Sequence, residues 1–500
     1  MAVQMSGRSG WISRSVAAGA AAVLVVTLGA CSTDSEKSVQ FVDTPPATAV
    51  LQGDDAAQTA VELSSLLFES ADVAVVAPAD AAEAAAPVAS EARLPLLLGT
   101  EQAVADELER LGADTLITPA GTDLAALGDG FEVVEVQADD TGAVPEVAVD
   151  EQPAGASLFV DPEAESPAEV AARANIEAAG GSVAEVPGGD PRLDGDTVAA
   201  TKDAAGDDPA SGLLALGETF GEADDFTAKA ATAATAPELP GGGQLAFPGR
   251  RMIAAYGSPG VASLGILGEQ DLEETIERVK GLAEDYEPHS DVQVVPAFEI
   301  ITTVASAVPG PDGNYSTELD PELIREWVDA AGEAGVYVVL DLQPGTTDFL
   351  TQAKEYEDLL KEPHVGLALD PEWRLEPGQR HMEQIGSVTA AEVNETAEWL
   401  AELTAENSLP QKVFILHQFS LGMISDRQDI DTSHPELAIV LHADGNGTPD
   451  LKMGTWNALQ EGLPEGIFMA WKNFYDEDTP TFTPEQTYEV EPRPWFVSYQ

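Results

Sequence analysis

Two carboxyl groups stand two residues apart in Ala368-Leu369-Asp370-Pro371-Glu372-Trp373, at the end of an apolar run. A strand end projects alternate side chains to the same side, so Asp370 and Glu372 can face one pocket together. Two carboxyl groups beside an indole that stacks on a sugar ring are the ingredients of glycoside hydrolysis, where one group delivers a proton and the other works as a carboxylate. Further polar residues end other apolar runs: Tyr256, Glu299, Asp341 with Gln343, His417 with Gln418, His442 with Asp444, and Trp471 with Lys472. Should those runs be neighbouring strands, all converge on one mouth. Asp370, Glu372, Asp341 and Glu299 are then the catalytic candidates. Tyr256, Gln343, Trp373, His417, Gln418, His442, Asp444, Trp471 and Lys472 are the substrate-binding candidates. A single such acid is more often the cap of the following helix, so the joint occurrence carries the reading.

A metal centre competes for the same residues. His417, His442 and Asp444 are chemically able ligands, together with Asp341 or Asp370. The sequence shows no His-x-His and no fixed ligand spacing, which favours histidines that hydrogen-bond substrate or carboxylates; no metal and no cofactor is assigned. Gly257-Ser258-Pro259-Gly260 and Gly445-Asn446-Gly447 read as turns rather than phosphate loops, and no Gly-x-Ser-x-Gly elbow supports a serine esterase. Arg427, between Asp426 and Asp429, reads as a loop ion pair.

The elements that must position these groups are legible after residue 251. Apolar runs at Met252 to Tyr256, Val292 to Ile301, Val336 to Leu342, Val365 to Leu369, Val413 to His417, Leu437 to His442, Gly466 to Trp471 and Trp495 to Tyr499 read as strands. Helical patterns lie between them at Asp271 to Glu284, Pro321 to Ala334, Asp348 to Leu360, Ala390 to Glu406 and Thr455 to Gly462. Near-continuous apolar strands separated by helices predict a parallel sheet covered on both faces, and eight of them fit a (β/α)8 barrel. Links from helix to strand are short and several links leaving the strands are long, which puts the binding face at the carboxyl ends of the strands.

The rest of the chain differs in composition. Its 88 acidic against 23 basic residues give a formal charge of -65 over 500 residues, which excludes nucleic-acid binding through a basic surface, and one Cys excludes an internal disulfide framework. Between residues 40 and 240 the only basic residues are Arg93, Arg110, Arg173, Arg192, Lys202 and Lys229, and there is no Trp, Tyr, His or Met. The Pro240-Gly241-Gly242-Gly243 run reads as a flexible linker across 237–250, and the change in composition predicts that 244–500 folds alone. Within 57–236, short strands alternate with Ala/Glu helices, as in a small parallel α/β unit, with a weaker second copy from Ala156. The fold class expected is therefore α/β, a small parallel α/β repeat module followed by a (β/α)8 barrel.

Arg8 and Arg14 precede an apolar run from Val16 to Leu28 that ends in Leu28-Gly29-Ala30-Cys31, the pattern of a secretory signal with a lipobox over 1–30. Cys31 is the expected lipidation site, residues 31–56 a disordered tether, and the membrane, through the lipid on Cys31, a partner on the extracellular side. The stretch Ala71 to Gly121 resembles the cell-wall-binding repeat type 2 family, through Ala84-Ala85-Ala86-Pro87, Leu94-Pro95-Leu96-Leu97-Leu98 and Leu111-Gly112-Ala113-Asp114. That resemblance implies a module held on cell-wall polysaccharide, although Pro78-Ala79-Asp80-Ala81 replaces the family's Ser-Gly-x-x-Phe-x-Asp-Ala loop. The carboxy-terminal half resembles sugar-active barrels. Its fourth strand is similar to the Asp-x-Asp-x-Glu motif of chitinase-like hydrolases, with Ala368 at the first Asp and Asp370 and Glu372 at the other two positions. The whole is similar to an uncharacterised actinobacterial surface lipoprotein. Two readings stay open: a glycosidase acting on envelope polysaccharide, or a non-catalytic glycan-binding or structural protein on a degenerate hydrolase barrel.

Overall fold

The computed structural model describes residues 37–137, 144–149, 154–206 and 208–500. The lipobox and Cys31 lie outside the described residues. Among those described, no helix is long and apolar enough to cross a membrane.

Eight parallel strands close into a barrel: β1 (Arg250–Gly257), β2 (Gln293–Ala305), β3 (Tyr337–Leu342), β4 (Val365–Leu369), β5 (Lys412–Gln418), β6 (Leu437–Ala443), β7 (Phe468–Asn473) and β8 (Phe496–Tyr499). Closure is made by β1, which pairs with β2 (Ala254 opposite Ala297) and with β8 (Ile253 opposite Val497). Alternation along each strand sorts the side chains. One set, including Ile253, Phe298, Val338, Leu416 and Leu441, packs under the helices, while Met252, Ala254, Val339, Ala368, Ile415, Val440 and Phe496 fill the barrel interior. Helices Leu272–Tyr286, Pro321–Ala334, Phe349–Glu355 with Glu357–Leu360, and Ala390–Glu406 follow β1 to β4. The link from β5 to β6 carries no α-helix, only short 3-10 turns and the two-residue strand Ile424–Ser425, which pairs with Val388–Thr389. The helix after β6 begins at Pro449, nearly two turns before the run read from sequence, because Pro449 at its first position is pre-set for a helical start that the weak apolar period there does not mark.

Two small parallel sheets precede the barrel. One runs Leu96–Leu98, Val73–Ala77, Thr115–Pro119, Glu132–Val136, and the other Ser182–Glu185, Ser157–Val160, Leu213–Leu216, Ala49–Leu51. Val73–Ala77 in the first sheet and Ser157–Val160 in the second each lie between the next two strands of the chain that join them, so the internal similarity read from sequence has a topological counterpart. The fourth position differs: the first sheet takes the next strand of the chain, and the second takes Ala49–Leu51 from upstream.

Two expectations are corrected. Residues 37–56 are not a free tether: Lys37–Phe41 pairs with Phe68–Ala71 and Val147–Val149, and Val39, Phe41 and Leu51 are buried. Their partners are distant in sequence, so no local period marks them. The segment at 237–250 is not a loose linker either. Gly241, Gly242 and Gly243 all take positive φ, a conformation open to glycine at little cost, and form a turn whose Pro240 and Gly242 carbonyls accept from the Arg250 guanidinium. Gln244 is fully buried and donates to the carbonyls of Ala233 (3.3 Å) and Ala236 (2.9 Å), while the Arg192 carbonyl accepts from the Gln244 and Leu245 amides. The amino-terminal half therefore holds the segment that closes the barrel floor, and a cut at 244 removes part of that closure. Phe247 completes it, with its ring 5.3 Å from Phe468 and 5.9 Å from Trp495. Phe247→Ala is expected to cost about 3–5 kcal/mol, read as a lowered urea midpoint at unchanged slope.

Candidate functional site

Above the apolar interior each strand contributes one inward polar residue: Tyr256, Glu299, Asp341, Asp370, His417, His442, Lys472 and Ser498, none more than 2 % exposed. Four strands place a further polar side chain one step outward, and Gln343, Glu372, Asp444 and Gln500 line a pocket of about 620 Å³ at the carboxyl end of the barrel, with Trp373, Phe419 and Phe474 on its wall. The convergence expected from sequence is therefore real for most of the candidates, because period-two alternation and barrel closure bring them to one axis.

His417 is the hub of the ring. Its Nε2 lies 2.8 Å from Glu299 Oε1 and its Nδ1 3.0 Å from Asp444 Oδ2. With a carboxylate at each nitrogen the ring donates twice, which is the imidazolium form. Burial pushes its pKa down, but Glu299 and Asp444 outweigh it and hold it well above the ordinary value. Lys472 Nζ, 3.2 Å from Asp444 Oδ1 and 3.5 Å from the Tyr256 ring centre, adds a second cation, and its pKa is raised by Asp444 and Glu299 against the desolvation that lowers it. Between Lys472 and His417, Asp444 stays below the usual carboxylate range although burial alone would raise it.

His442 has the opposite character. Burial, reinforced by the neighbouring His417 charge, pushes it down to about 3, so it is neutral. Its Nδ1 carries no proton toward His417 Nδ1, 3.1 Å away, whose own proton lies toward Asp444, and its Nε2 is within hydrogen-bond distance of Ser498 Oγ at 3.1 Å. Tyr256 donates to Asp341 Oδ2 at 3.0 Å, and the Asp341 carboxyl is raised to about 6, chiefly by desolvation.

The carboxyls of Asp370 and Glu372 behave alike. Desolvation raises Asp370 well above its ordinary value and lifts Glu372 to about 7. The Asp444 charge adds to the Glu372 shift, and Glu372 and Asp370 repel each other's ionised forms. Near neutral pH the pocket thus holds an ionised carboxylate on Asp444 and a carboxyl on Glu372 that keeps its proton half the time at about pH 7. Asp444, expected to bind substrate, is the charged partner that Asp370 was expected to be.

Glu299, Asp341, His417 and His442 point to the barrel axis but are fully buried and do not line the pocket, and two further candidates point away from the axis. Trp471 points under the helices, stacked 5.3 Å from Phe482 and donating to Asn473 Oδ1 at 2.9 Å. Gln418 is also outward, donating to the Ser420 carbonyl and accepting from Arg427 Nη1 at 3.2 Å. Both follow from alternation: His417 and Lys472 point in, so their neighbours point out. Arg427 is not the expected ion pair, since it is buried on Gln418 and the Glu461 carbonyl. Ser498 is not among the sequence candidates, and its only signal is a small polar residue set between Val497 and Tyr499 in β8.

Among the described residues, Glu299, His417 and His442 are the group whose ligand atoms all fall within 4.8 Å of one another, so Glu299 replaces Asp444 in the candidate metal set. An ion there would compete with the protons that His417 delivers to its two carboxylates.

No family model matches the chain, and no curated protein matches it. Its structure is similar to CcCel6C, a glycoside hydrolase family 6 enzyme from Coprinopsis cinerea, at a TM-score of 0.20 and 14% identity, over 44% of this chain. The match spans 60% of that enzyme, and at this TM-score it carries no argument about the reaction.

Proposed function

We propose that the barrel hydrolyses a neutral envelope polysaccharide, with Glu372 as general acid and Asp444 as the carboxylate that activates water or stabilises the developing positive charge on the sugar. The observation that carries this is the pairing, in one pocket of about 620 Å³, of a carboxyl raised to about 7 and a carboxylate held ionised by Lys472 and His417. Environments that push two carboxyl groups apart assign their acid and base roles. Trp373 supplies a wall for stacking, and the excess of carboxylates disfavours an anionic polymer. Incubation of the full chain with purified envelope polysaccharide should release new reducing ends.

The second reading, a non-catalytic glycan binder, is favoured by Ala368, a fully buried filler where the chitinase-like motif has its first acid. Binding without any release of reducing ends, abolished by Trp373→Ala, would leave that reading alone.

We place the protein on the outer side of the cell membrane as a lipoprotein, with the acidic module between lipid and barrel acting as a spacer or as a holder on a neutral wall glycan. Cys31→Ser is expected to move the protein from the membrane fraction to the medium or to leave an unprocessed precursor, read by fractionation and mass. Unchanged membrane retention would refute the lipid anchor.

A further inference from the structure

Nine large apolar side chains are exposed among the described residues, and eight of them follow the carboxyl end of a barrel strand, in the loop or in the first turn of the next helix. Their distribution is one-sided: they surround the mouth of the pocket and leave the barrel floor bare. Part of this surface continues into the pocket. Leu264, from the loop after β1, and Ile301, Val304 and Ala305, at the end of β2, line its wall, and Val261 and Val308 extend the same two segments outward with 39% and 64% exposure. The charged groups that line the pocket come instead from the other side: Asp370 and Glu372 at the end of β4, Asp444 after β6, and Lys472 and Glu477 on β7 and its loop, while β1 adds the Tyr256 hydroxyl.

A wall of branched aliphatic groups is a poor surface for a sugar. It gives no hydrogen bond to hydroxyls that would lose their water on entry, and each such unpaired group costs affinity. Nor is it the flat aromatic face on which a pyranose stacks, a role that Trp373 fills from the β4 loop. Methylene and methyl groups are what it accommodates, since burying them needs no partner. The nearby carboxylates disfavour a phosphate or a second carboxylate on that group.

Resting on the glycan reading of this pocket, we infer that the saccharide it receives carries an uncharged alkyl or acyl substituent, which lies along Ile301 and Val304 and leaves the barrel past Val308. The polar side of the pocket then holds the sugar against Glu372 and Asp444, and the apolar track sets specificity for the substituted glycan over the bare one.

Calorimetric titration of the full chain with methyl, butyl and octyl β-D-glucopyranoside, all below micelle-forming concentrations, tests this. Affinity should rise by about a factor of 2 to 4 for each methylene buried, so octyl, with four more methylenes, should bind roughly 16- to 256-fold more tightly than butyl. Val304→Ser should flatten the series, and Val308→Ser, at an exposed position that cannot disturb the core, should flatten its longer end. Val133→Ser, on the exposed apolar residue of the amino-terminal half, should leave the series unchanged. Equal affinity for the three chain lengths, or a dependence that survives both wall substitutions, overturns the inference. Hydrolysis of an unsubstituted wall glycan with no chain-length effect would keep the hydrolase and remove the apolar track. Chain-length-dependent binding with no hydrolysis of any envelope glycan would do the reverse.

Discussion

Glu372→Gln is expected to lower hydrolysis of envelope polysaccharide by a factor on the order of 100 to 10,000, with glycan binding retained. Gln keeps the shape and the hydrogen-bonding edge of Glu but has no proton to deliver. The pH profile separates this loss from a structural one. With a pKa of about 7, the Glu372 proton is present below that pH and lost above it, so wild-type activity should fall on the alkaline side of about 7. The Asp444 carboxylate is held below its ordinary range, so it remains ionised well into acid and does not by itself set a limb near neutrality. Asp444→Asn should therefore lose activity to a similar extent, and should also remove the charge that helps raise Glu372, moving any residual alkaline limb to lower pH. Full activity in Glu372→Gln would exclude it as the acid. Activity that persists in that variant and is lost with a chelator would move the chemistry to Glu299, His417 and His442.

Substitution of Glu299 by Leu should cost about 3–5 kcal/mol of folding free energy, because it leaves a buried imidazolium with one of its two carboxylates gone. The loss should depend on pH in a definite sense. Burial raises the Glu299 pKa, but the His417 cation, with Lys472 beyond it, lowers it more, so its folded pKa lies below the ordinary 4.5; its contribution is present above that ordinary value and is lost as pH falls through the folded one. His417 is raised above its ordinary 6.5, so its contribution is complete below 6.5 and is lost as pH rises through the folded pKa. The difference between wild type and Glu299→Leu should accordingly be largest at about pH 5 to 6 and shrink toward both extremes. Denaturant unfolding across that range measures it, and equal stabilities at pH 5.5 would show that the pair contributes nothing net. Glu299→Gln, which preserves an acceptor for His417 Nε2, should cost less than Leu at every pH.

The barrel and most of its mouth were legible in the order of the residues. Eight apolar runs separated by helical patterns can bury both faces only as a parallel sheet, and each run announced its end with a polar residue. Barrel closure then required those ends to meet, which is why Tyr256, Asp341, Asp370, His417 and Lys472 could be placed together with no knowledge of their distances. Alternation within a run also contained the information that removes Trp471 and Gln418, since two adjacent residues of a strand cannot both face the axis.

Tertiary structure alone decided the charges. Asp370 and Asp444 are the same residue type at comparable burial, yet one is pushed up and the other down, because Lys472 from β7 and His417 from β5 reach Asp444. Likewise His417 and His442, opposite each other on paired strands, become cation and neutral base, because the two carboxylates lie against one ring and a hydroxyl against the other. Residues 37–51 and 239–247 were decided in the same way. Their few apolar side chains become structural only because strands and a barrel floor formed elsewhere in the chain offer them surface to bury, and burial against a distant partner leaves no local period to read.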